Sequence, residues 1–481
     1  MKHHTQFLML FGTLLALAPA ACTTTPSAPV APAASATATS ATADTYAITG
    51  ATVVDVEQGR TVSDQTVIIE GESIKTVGPR AEVVVPGGAR VIDGRGLYLM
   101  PGLVDAHVHY FDQEVFGRVM LANGILLARD MGLPTKQAVK LREALKQGEL
   151  IGPELIVTGS ILDGDPPIIP AISIGLTTPE EARAAVREQA AAGVDQIKVY
   201  SKLDKAVFLA IVDEAQKAGL KVVGHVPDSI GITEAAAAGL KSSEHLFGFD
   251  KVVAGLLGAY VRQTYAGMGA EAGYLQRLNE IDLAELQAVY QQLRASGLTV
   301  CPTVVVFKTG VNYSAIKAGD FQGREYISPF MQGLWQSQGQ QSDLPDFIWQ
   351  NWAQIVKGLH DAGVPLMIGT DLTVPGILPG ESVHQEMAIW QDAGIPPAAV
   401  LRSATLVPAR FMGLDGRLGT VAEGKTASLV LVKRNPLEDI RNTRLIDGVF
   451  LHGTYYDRVD LDRLLSEARE IANPQTGSGD E

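Results

Sequence analysis

The middle of the chain alternates two hydrophobic patterns. Between Leu103 and Met412, short runs of Val, Ile and Leu, such as ILLARD and DQIKVYS, alternate with stretches in which apolar residues recur every three or four positions. The short runs predict β-strands and the periodic stretches predict amphipathic helices. Eight such strand–helix units predict an α/β fold built on a (β/α)8 TIM barrel. An open doubly wound sheet is the alternative, but no glycine-rich phosphate loop follows the first strand.

The two ends of the chain share a different pattern. Residues 46–100 and 413–460 contain short β-type runs, such as YAITGATVVDV and ASLVLVKRNP, separated by turns that contain glycine. Runs of this kind predict small sheets. We therefore predict that both ends build one small β-sandwich domain, that residues 101–412 form the barrel, and that residues 461–481 form a C-terminal tail.

Two predicted connections are longer than the others. Residues 248–281 follow the sixth predicted strand and residues 307–346 follow the seventh, so both would lie on the C-terminal face of a barrel, where active sites form. Both are rich in aromatic residues. These side chains either pack the insertions themselves or line a pocket for a large, partly apolar substrate.

Residues 1–22 have the features of an export signal. The polar start MKHHTQ precedes the apolar run FLMLFGTLLALA, and two alanines precede Cys22. The pattern predicts a bacterial lipoprotein anchored through Cys22, with cleavage at an A-x-A site as the alternative. Residues 23–45, rich in Ala, Thr, Ser and Pro, predict a linker that packs no core. We expect an exported protein, periplasmic or anchored at the outer membrane, which contacts membrane only through this lipid.

Composition narrows the class of protein further. The 481 residues are 46% hydrophobic and 19% charged, as in a globular protein, and the formal net charge is −14. A nucleic-acid-binding protein would carry a basic face, so no nucleic-acid partner is expected. Cys301 is the second of two cysteines, so a lipidated Cys22 leaves no internal disulfide.

Histidines mark the ends of several predicted strands. His107 and His109 close the first strand in VDAHVH, and a spacing of two places both side chains on one face. His225, His245 and Asp371 end the fifth, sixth and eighth strands. Because these strand ends open on the same face of a barrel, the five side chains would converge. Four imidazoles and one carboxylate suit zinc or a similar divalent ion.

Lys198 lies in the middle of the fourth predicted strand, DQIKVYS. Ile197 and Val199 share the outward face, so Lys198 and Tyr200 would face the barrel interior. A charged ammonium there would be repelled by metal ions and penalised by burial. A neutral amine can instead react with CO2 and give a carbamate, an anion whose two oxygens can bridge two cations.

Taken together, these stretches resemble the metal-dependent amidohydrolase superfamily, in the subgroup of imidazolonepropionase-like and Xaa-Pro dipeptidase (prolidase-like) enzymes. The matching motifs, between Tyr46 and Tyr456, are LYLMPGLVDAHVH, GVDQIKVYS, VVGHV, SSEHL, MIGTD and LGTVAEGKTASLVLVKRNPLEDI. The resemblance implies a hydrolase of amide or peptide bonds with two divalent metal ions, zinc being the expected metal.

The resemblance also implies a role for each strand-end residue. One ion would be bound by His107, His109 and Asp371, the other by His225 and His245, with N-carboxylated Lys198 between them. A hydroxide bridging the two ions would attack the scissile carbonyl. Asp371 would act as general base towards it and then as general acid towards the leaving nitrogen.

Tyr200 and His384 are further candidates. Tyr200 would lie near Lys198 and could donate a hydrogen bond to the tetrahedral intermediate; a core tyrosine is the alternative. His384 lies in GESVHQEM, which resembles a family segment after the eighth strand. It would contact the metal ligands or the substrate, or lie on a helix surface.

The substrate is less closely defined than the metal site. A dipeptide is the favoured substrate, but SILDGDPPIIPAIS stands where prolidase-like relatives carry a glycine-rich segment, so a preference for proline does not follow. Alternatives on the same metal site are a cyclic amide, an N-acyl amino acid, a lactone or an ester. A non-catalytic binding lipoprotein is the non-enzyme alternative. A small molecule or dipeptide and further copies of this chain are the expected partners.

Overall fold

The structure is a computed structural model that describes residues 45–249, 252, 283–337 and 343–474. The predicted signal peptide with Cys22, and the predicted linker up to residue 44, lie outside the described residues. Most of the predicted insertion 248–281 lies outside them as well. Within the described ranges, no helix combines the length and the apolar character needed to cross a membrane.

The described chain begins with five strands: β1 (Thr45–Asp55), β2 (Arg60–Glu70), β3 (Ser73–Pro79), β4 (Arg90–Asp93) and β5 (Tyr98–Pro101). β1 pairs antiparallel with β2 and parallel with both β4 and β5. The β1–β2 register shifts next to Gly50, whose φ of 76° belongs to the left-handed region that glycine adopts without penalty. β1 can therefore bend and serve two neighbours.

Strands and helices then alternate. The strands are β6 (Leu103–Val108), β7 (Ile125–Asp130), β8 (Glu154–Val157), β9 (Ile161–Gly164), β10 (Ser173–Leu176), β11 (Gln196–Val199), β12 (Lys221–Gly224), β13 (Leu240–Glu244) and β14 (Thr299–Cys301). The helices up to the seventh predicted strand are α1 (Gln113–Ala122), α2 (Thr135–Lys146), α3 (Pro179–Ala192), α4 (Lys205–Lys217), α5 (Ile232–Ala238) and α6 (Leu283–Ser296). All residues of β6, β7 and β11 are buried, as in parallel strands covered on both faces.

The parallel strands form two hydrogen-bonded sheets. β6, β7 and β8 form one, and the other has the order β10-β9-β11-β12-β13-β14. Single hydrogen bonds join the sheets: Asp195 N donates to Val157 O at one edge. At the other edge the predicted eighth strand, LMIGTD, lies between the two sheets and makes only isolated bridges. Met367 N donates to Val300 O of β14, and Ala106 N of β6 donates to Ile368 O. The α/β fold with parallel sheets agrees with the prediction, but the named strands do not form one closed barrel.

Two predicted segments have a different structure from the one expected. The segment SILDGDPPIIPAIS contains β9 and the start of β10, two strands beyond the eight predicted units. The predicted strand TVCPTVVV ends at Cys301, and Val304 begins a helix, because Pro302 and the left-handed φ of 48° at Thr303 interrupt the strand.

Helices dominate the rest of this region. They are α7 (Val304–Gly310), α8 (Tyr313–Lys317), α9 (Pro329–Ser337), α10 (Asp346–Asp361), α11 (Glu381–Asp392), α12 (Pro397–Ser403) and α13 (Leu406–Met412), with a 3-10 turn at Arg324–Tyr326. In the described part of the insertion 307–346, Phe307, Tyr313 and Trp335 are buried. Trp335 Nε1 donates to Thr373 O, and the Phe307 ring lies 5.7 Å from that of Trp352, so these two side chains pack against parts of the chain outside the insertion.

The chain returns to the first sheet at its end. β15 (Leu429–Val432), β16 (Ile446–Leu451) and β17 (Thr454–Tyr456) extend it to the order β17-β16-β15-β5-β1-β2-β3, with β4 on β1 and a 3-10 turn at Ile440–Arg444. Strands from both chain ends thus form one eight-stranded sheet with its own apolar core, which includes Ile48, Val67 and Phe450. The ladders give a single sheet, so the predicted sandwich is not confirmed.

A final helix covers part of the predicted tail. α14 (Arg458–Ala472) buries Leu461, Leu464 and Ala468, and Arg118 of α1 forms an ion pair with Glu467, with 3.2 Å between Nε and Oε2. The first residues of the predicted tail 461–481 are therefore packed against the α/β region.

Candidate metal centre

The ends of the parallel strands bring four histidine rings together. The ring centroids of His107 and His245 are 4.4 Å apart, those of His225 and His245 5.0 Å, and those of His107 and His109 5.6 Å. The eighth segment can approach β6 this closely only because it carries Gly369. A Cβ at that position would lie 2.4 Å from the Cys301 Sγ and 2.9 Å from the His107 Cβ.

Asp371 lies among these rings. Its Oδ1 is 3.3 Å from Nε2 of His107 and 3.5 Å from Nε2 of His109, and its Oδ2 is 3.9 Å from Nδ1 of His245. The donor atoms of His107, His245 and Asp371 all lie within 4.8 Å of one another. The resemblance assigned His245 to the other ion, whereas here it shares one group of donor atoms with His107 and Asp371.

Each of the four rings is held through Nδ1 by a partner beside the cluster. The partners are Glu244 Oε2 at 2.8 Å for His107, Gly132 O at 3.1 Å for His109, Ser201 Oγ at 3.0 Å for His225 and Thr303 Oγ1 at 2.7 Å for His245. Partners of this kind fix the tautomer and the orientation of metal-binding imidazoles. Nε2 is then the nitrogen left for an ion.

Three buried polar atoms support an ion at this site. Nε2 of His107, Nε2 of His225 and Nζ of Lys198 are buried without a hydrogen-bond partner among the described residues; the contact of His107 with Asp371 lacks hydrogen-bond geometry. Burying such atoms without a partner costs free energy, and native proteins rarely do so. The donor set of imidazoles, a carboxylate and an amine therefore fits divalent metal ions.

Burial sets the charge of the ligands. It lowers the pKa of His107 and His225 well below the ordinary value, with a further effect of the Lys198 charge, and it lowers the pKa of His245 to about 4. Burial acts to raise the pKa of Asp371, but the three nearby histidines outweigh it and hold that pKa well below its usual range. Neutral imidazoles beside an ionised carboxylate are the protonation states that metal binding requires.

Lys198 is placed as the alternation in β11 predicted. It is completely buried, and desolvation lowers its pKa from 10.5 to about 8. Roughly a tenth of the amine is therefore neutral at pH 7, far more than for an ordinary lysine, and carbamate formation needs the neutral form.

Tyr200 lies against the same cluster. Its ring stacks on His225 at a centroid distance of 3.9 Å, and Phe247 stacks on His225 at 4.1 Å. Lys198 Nζ lies 5.8 Å from the centroid of the Tyr200 ring. Burial raises the pKa of Tyr200 well above its ordinary value, so its hydroxyl stays protonated and can act as a donor.

His384 is not brought to the cluster. Nδ1 of this buried residue contacts Thr443 Oγ1 at 2.8 Å and Nε2 contacts Asn123 O at 3.1 Å, so both ring nitrogens have partners elsewhere. The structure thus places the His384 ring away from the four-histidine cluster, and a catalytic role for it stays an untested prediction. The residue of GESVHQEM that faces the site is Glu386, whose carboxylate accepts hydrogen bonds from the backbone N–H groups of Val304 and Val305.

Those hydrogen bonds hold the turn that contains Thr303. Thr303 has φ 48°, His245 has φ 56° and Asp371 has φ 60°, so three residues of the site adopt left-handed backbone conformations. Such conformations are strained for residues other than glycine and concentrate at functional sites.

A buried ion pair below His107 was not predicted from the sequence. Arg129 Nη2 lies 2.9 Å and 3.0 Å from the two carboxylate oxygens of Glu244, whose Oε2 also contacts His107. Burial acts to raise the pKa of Glu244, but Arg129 and His107 outweigh it and hold that pKa well below its usual range. The signal in the sequence was an arginine and a glutamate within two predicted strands, ILLARD and SSEHL.

The Asp105 carboxylate joins the first and eighth strand segments through hydrogen bonds. Asp105 accepts hydrogen bonds from His107 N at 3.2 Å, from Thr370 N at 3.0 Å and from Thr370 Oγ1 at 2.6 Å. This buried carboxylate therefore fixes the spacing between the strand of His107 and the turn of Asp371.

Comparison with known proteins identifies the family to which the chain belongs. A model of the amidohydrolase family matches residues 98–455. The ochratoxinase of Aspergillus niger is 22% identical over 415 residues, which cover 71% of this chain and 72% of that protein. The imidazolonepropionase of Anaeromyxobacter dehalogenans is 26% identical over 414 residues, which cover 76% and 83%.

The fold is similar to that of a prolidase solved in complex with N-methylphosphonate-L-proline. The TM-score is 0.61 at 24% identity, and the match covers 86% of this chain and 100% of the prolidase chain. Likeness at that identity supports the fold alone. The family model, which spans most of the chain, supports more: this protein belongs to the amidohydrolase family, whose members are metal-dependent, and it is a hydrolase of carbon–nitrogen bonds.

Proposed function

We propose that the protein is a binuclear metal-dependent amidohydrolase that cleaves the amide bond of dipeptide-like substrates. The observation that carries the proposal is the set of buried, unpartnered donor atoms on His107, His225 and Lys198 beside the ionised carboxylate of Asp371. A single ion would leave part of this set unsatisfied, whereas two ions with a carbamate between them would use all of it.

The proposed ligands are the four histidines, Asp371 and N-carboxylated Lys198. In the carboxylation step the neutral amine forms a bond to the carbon of CO2 and one proton is released to solvent. When bound, zinc or a similar divalent ion supplies Lewis-acid polarisation of the carbonyl and an activated water.

The chain itself would move the protons. Asp371 is ionised, so one of its oxygens can accept a proton from the attacking water and return it to the leaving nitrogen, as a general base and then a general acid does. The Tyr200 hydroxyl, protonated in this environment, is a donor that can stabilise the developing oxyanion. His384 has no role in this proposal.

The two parallel sheets would be the two parts of one (β/α)8 barrel. Hydrogen bonds at both edges support this arrangement, because Asp195 N reaches Val157 O and the segment 365–372 contacts both β14 and β6. A barrel also explains why five strand ends deliver side chains to one place.

The substrate proposal is supported by the fold similarity to a prolidase solved with N-methylphosphonate-L-proline and by the sequence similarity to an ochratoxinase. The favoured substrate is a dipeptide-like amide, and an N-acyl amino acid is the second candidate. We further propose that the protein is exported, is lipid-anchored through Cys22 and associates with copies of itself.

Metal analysis and a substrate panel test the proposal together. We expect two divalent ions per chain, and turnover of dipeptides or N-acyl amino acids ahead of esters and lactones. Lys198→Ala should lose metal and activity and recover part of both with added short-chain carboxylic acids, which replace the carbamate oxygens. Lys75→Ala, on the exposed side of β3, is the control. Less than one ion per chain in wild type, or good ester turnover without amide turnover, would refute the proposal.

A further inference from the structure

Two buried charged residues, Arg129 and Glu244, form an ion pair beside the His107 ring. Arg129 and Glu244 are completely buried, and Arg129 Nη2 contacts both carboxylate oxygens. Ser242 Oγ donates to Glu244 Oε1 at 2.5 Å and accepts from Arg129 Nη1 at 3.1 Å. Arg129 Nε also donates to Ala106 O at 2.5 Å. The guanidinium is thus fixed at both ends, and it fixes the carboxylate in turn.

The carboxylate of this pair points at one ring atom. Glu244 Oε2 lies 2.8 Å from His107 Nδ1. The hydrogen-bond partners of Nδ1 in His109, His225 and His245 are a backbone carbonyl and two hydroxyls, which carry no net charge. His107 therefore receives an anionic acceptor where the other three receive neutral groups. A carboxylate that accepts the Nδ1 proton of a metal-binding histidine makes its Nε2 a stronger ligand.

The same carboxylate could itself attract a cation. The donor atoms of His107, Glu244 and Cys301 lie within 4.8 Å of one another, on the side of the ring away from Asp371 Oδ1. Arg129 occupies both oxygens of Glu244, and its positive charge opposes an ion there. The pair thus leaves Glu244 able to accept a hydrogen bond from His107 Nδ1–H but unfavourable as a metal ligand.

We propose that Glu244 and Arg129 act as positioning residues for the metal centre. Glu244 holds His107 in the tautomer with the proton on Nδ1 and strengthens Nε2 as a ligand, and Arg129 keeps Glu244 directed at Nδ1. This inference rests on the proposed function, because it assumes that His107 binds a metal ion.

A charge-balanced double variant tests the inference. Glu244→Gln alone leaves the buried Arg129 without a counter-ion, so the metal-free variant should unfold at a lower temperature than wild type. Glu244→Gln combined with Arg129→Met removes both charges, so the unfolding temperature of the metal-free double variant should return most of the way to that of wild type. Its zinc affinity, measured by competition with a chelating dye, should nevertheless remain roughly 10–100-fold below wild type. Arg441→Met with Asp392→Asn, which removes an exposed bidentate pair, is the matched control.

A purely structural role predicts the opposite result, with zinc affinity recovering together with the unfolding temperature. Wild-type protein provides a second measurement that needs no variant to fold. With 15N-labelled histidine, the metal-free protein should show His107 protonated at Nδ1, and protonation at Nε2 instead would overturn the inference. Failure of the proposed function is distinguishable, because wild type itself would then bind no zinc and cleave no amide.

Discussion

Replacing Lys198 should have opposite effects on the metal-free and the metal-loaded protein. In the metal-free protein, burial lowers the pKa of Lys198 from 10.5 to about 8. The folded chain therefore holds the lysine proton less tightly than the unfolded chain does, and each pKa unit corresponds to about 1.4 kcal/mol. At pH 7 the buried ammonium thus destabilises the fold by about 3 kcal/mol. Lys198→Met, which retains an apolar chain of similar length, should raise the free energy of unfolding by up to this amount.

The pH dependence gives the sign of the effect. A depressed lysine pKa penalises folding fully below about pH 8, where both states are protonated. The penalty shrinks as the pH rises from 8 towards 10.5, because the folded state no longer binds the proton, and it disappears above that range. The advantage of Lys198→Met should therefore be largest near neutral pH and decline in alkaline buffer.

Urea denaturation of chelator-treated protein in CO2-depleted buffer measures this difference, and Lys75→Met controls for the loss of a lysine from an exposed strand position. Saturating zinc should reverse the order, since wild type gains stability from tight binding and the variant lacks one ligand. A metal-free variant that is less stable than wild type at pH 7, or equally stable at every pH, would refute the reasoning.

Three further predictions follow from the supports of the site. Glu386→Ala leaves the buried N–H groups of Val304 and Val305 without their acceptor, so the free energy of unfolding of the metal-free protein should fall by ~1–3 kcal/mol in urea denaturation. Zinc titration should also show weaker binding. Unchanged zinc affinity would show that Glu386 does not support the metal centre. His384→Ala should lower the free energy of unfolding by a similar ~1–3 kcal/mol while kcat/KM for the best amide stays as in wild type, and a large fall in kcat/KM would restore its catalytic role. Thr303→Gly should have a free energy of unfolding ~1–2 kcal/mol higher than Thr303→Ala, because both variants lack the hydroxyl but only glycine adopts a φ of 48° without strain. Equal stabilities of the two metal-free variants in denaturation would contradict this prediction.

The convergence of the candidate ligands at the strand ends was predictable from strand alternation and from the parallel direction of the strands. Alternation along β6 places His107 and His109 on one face, and the same alternation turns Lys198 inward in β11. Parallel strands that end on one side of a fold then bring such residues together. The residues of the candidate metal centre are thus visible in the sequence as a pattern of positions, before any tertiary contact is known.

The supporting contacts were not predictable because they join distant parts of the chain. Glu244 meets Arg129 across 115 positions, and neither residue reveals its partner in the sequence. Within GESVHQEM, His384 and Glu386 are two positions apart, which on a helix of 3.6 residues per turn is more than half a turn. Glu386 therefore faces Val304 while His384 faces Thr443.

The sheet built from both chain ends constrains how this protein can be made and cut. β5 pairs with β1, which precedes it in the chain, and with β15, which is synthesised only after the whole α/β region that lies between them. Until residues 429–432 emerge, one edge of β5 lacks its partner strand, and unpaired edges promote association between chains. Removing the strands of either end would leave an unpaired edge in the shared sheet, so we expect a chain trimmed in this way to associate with other copies.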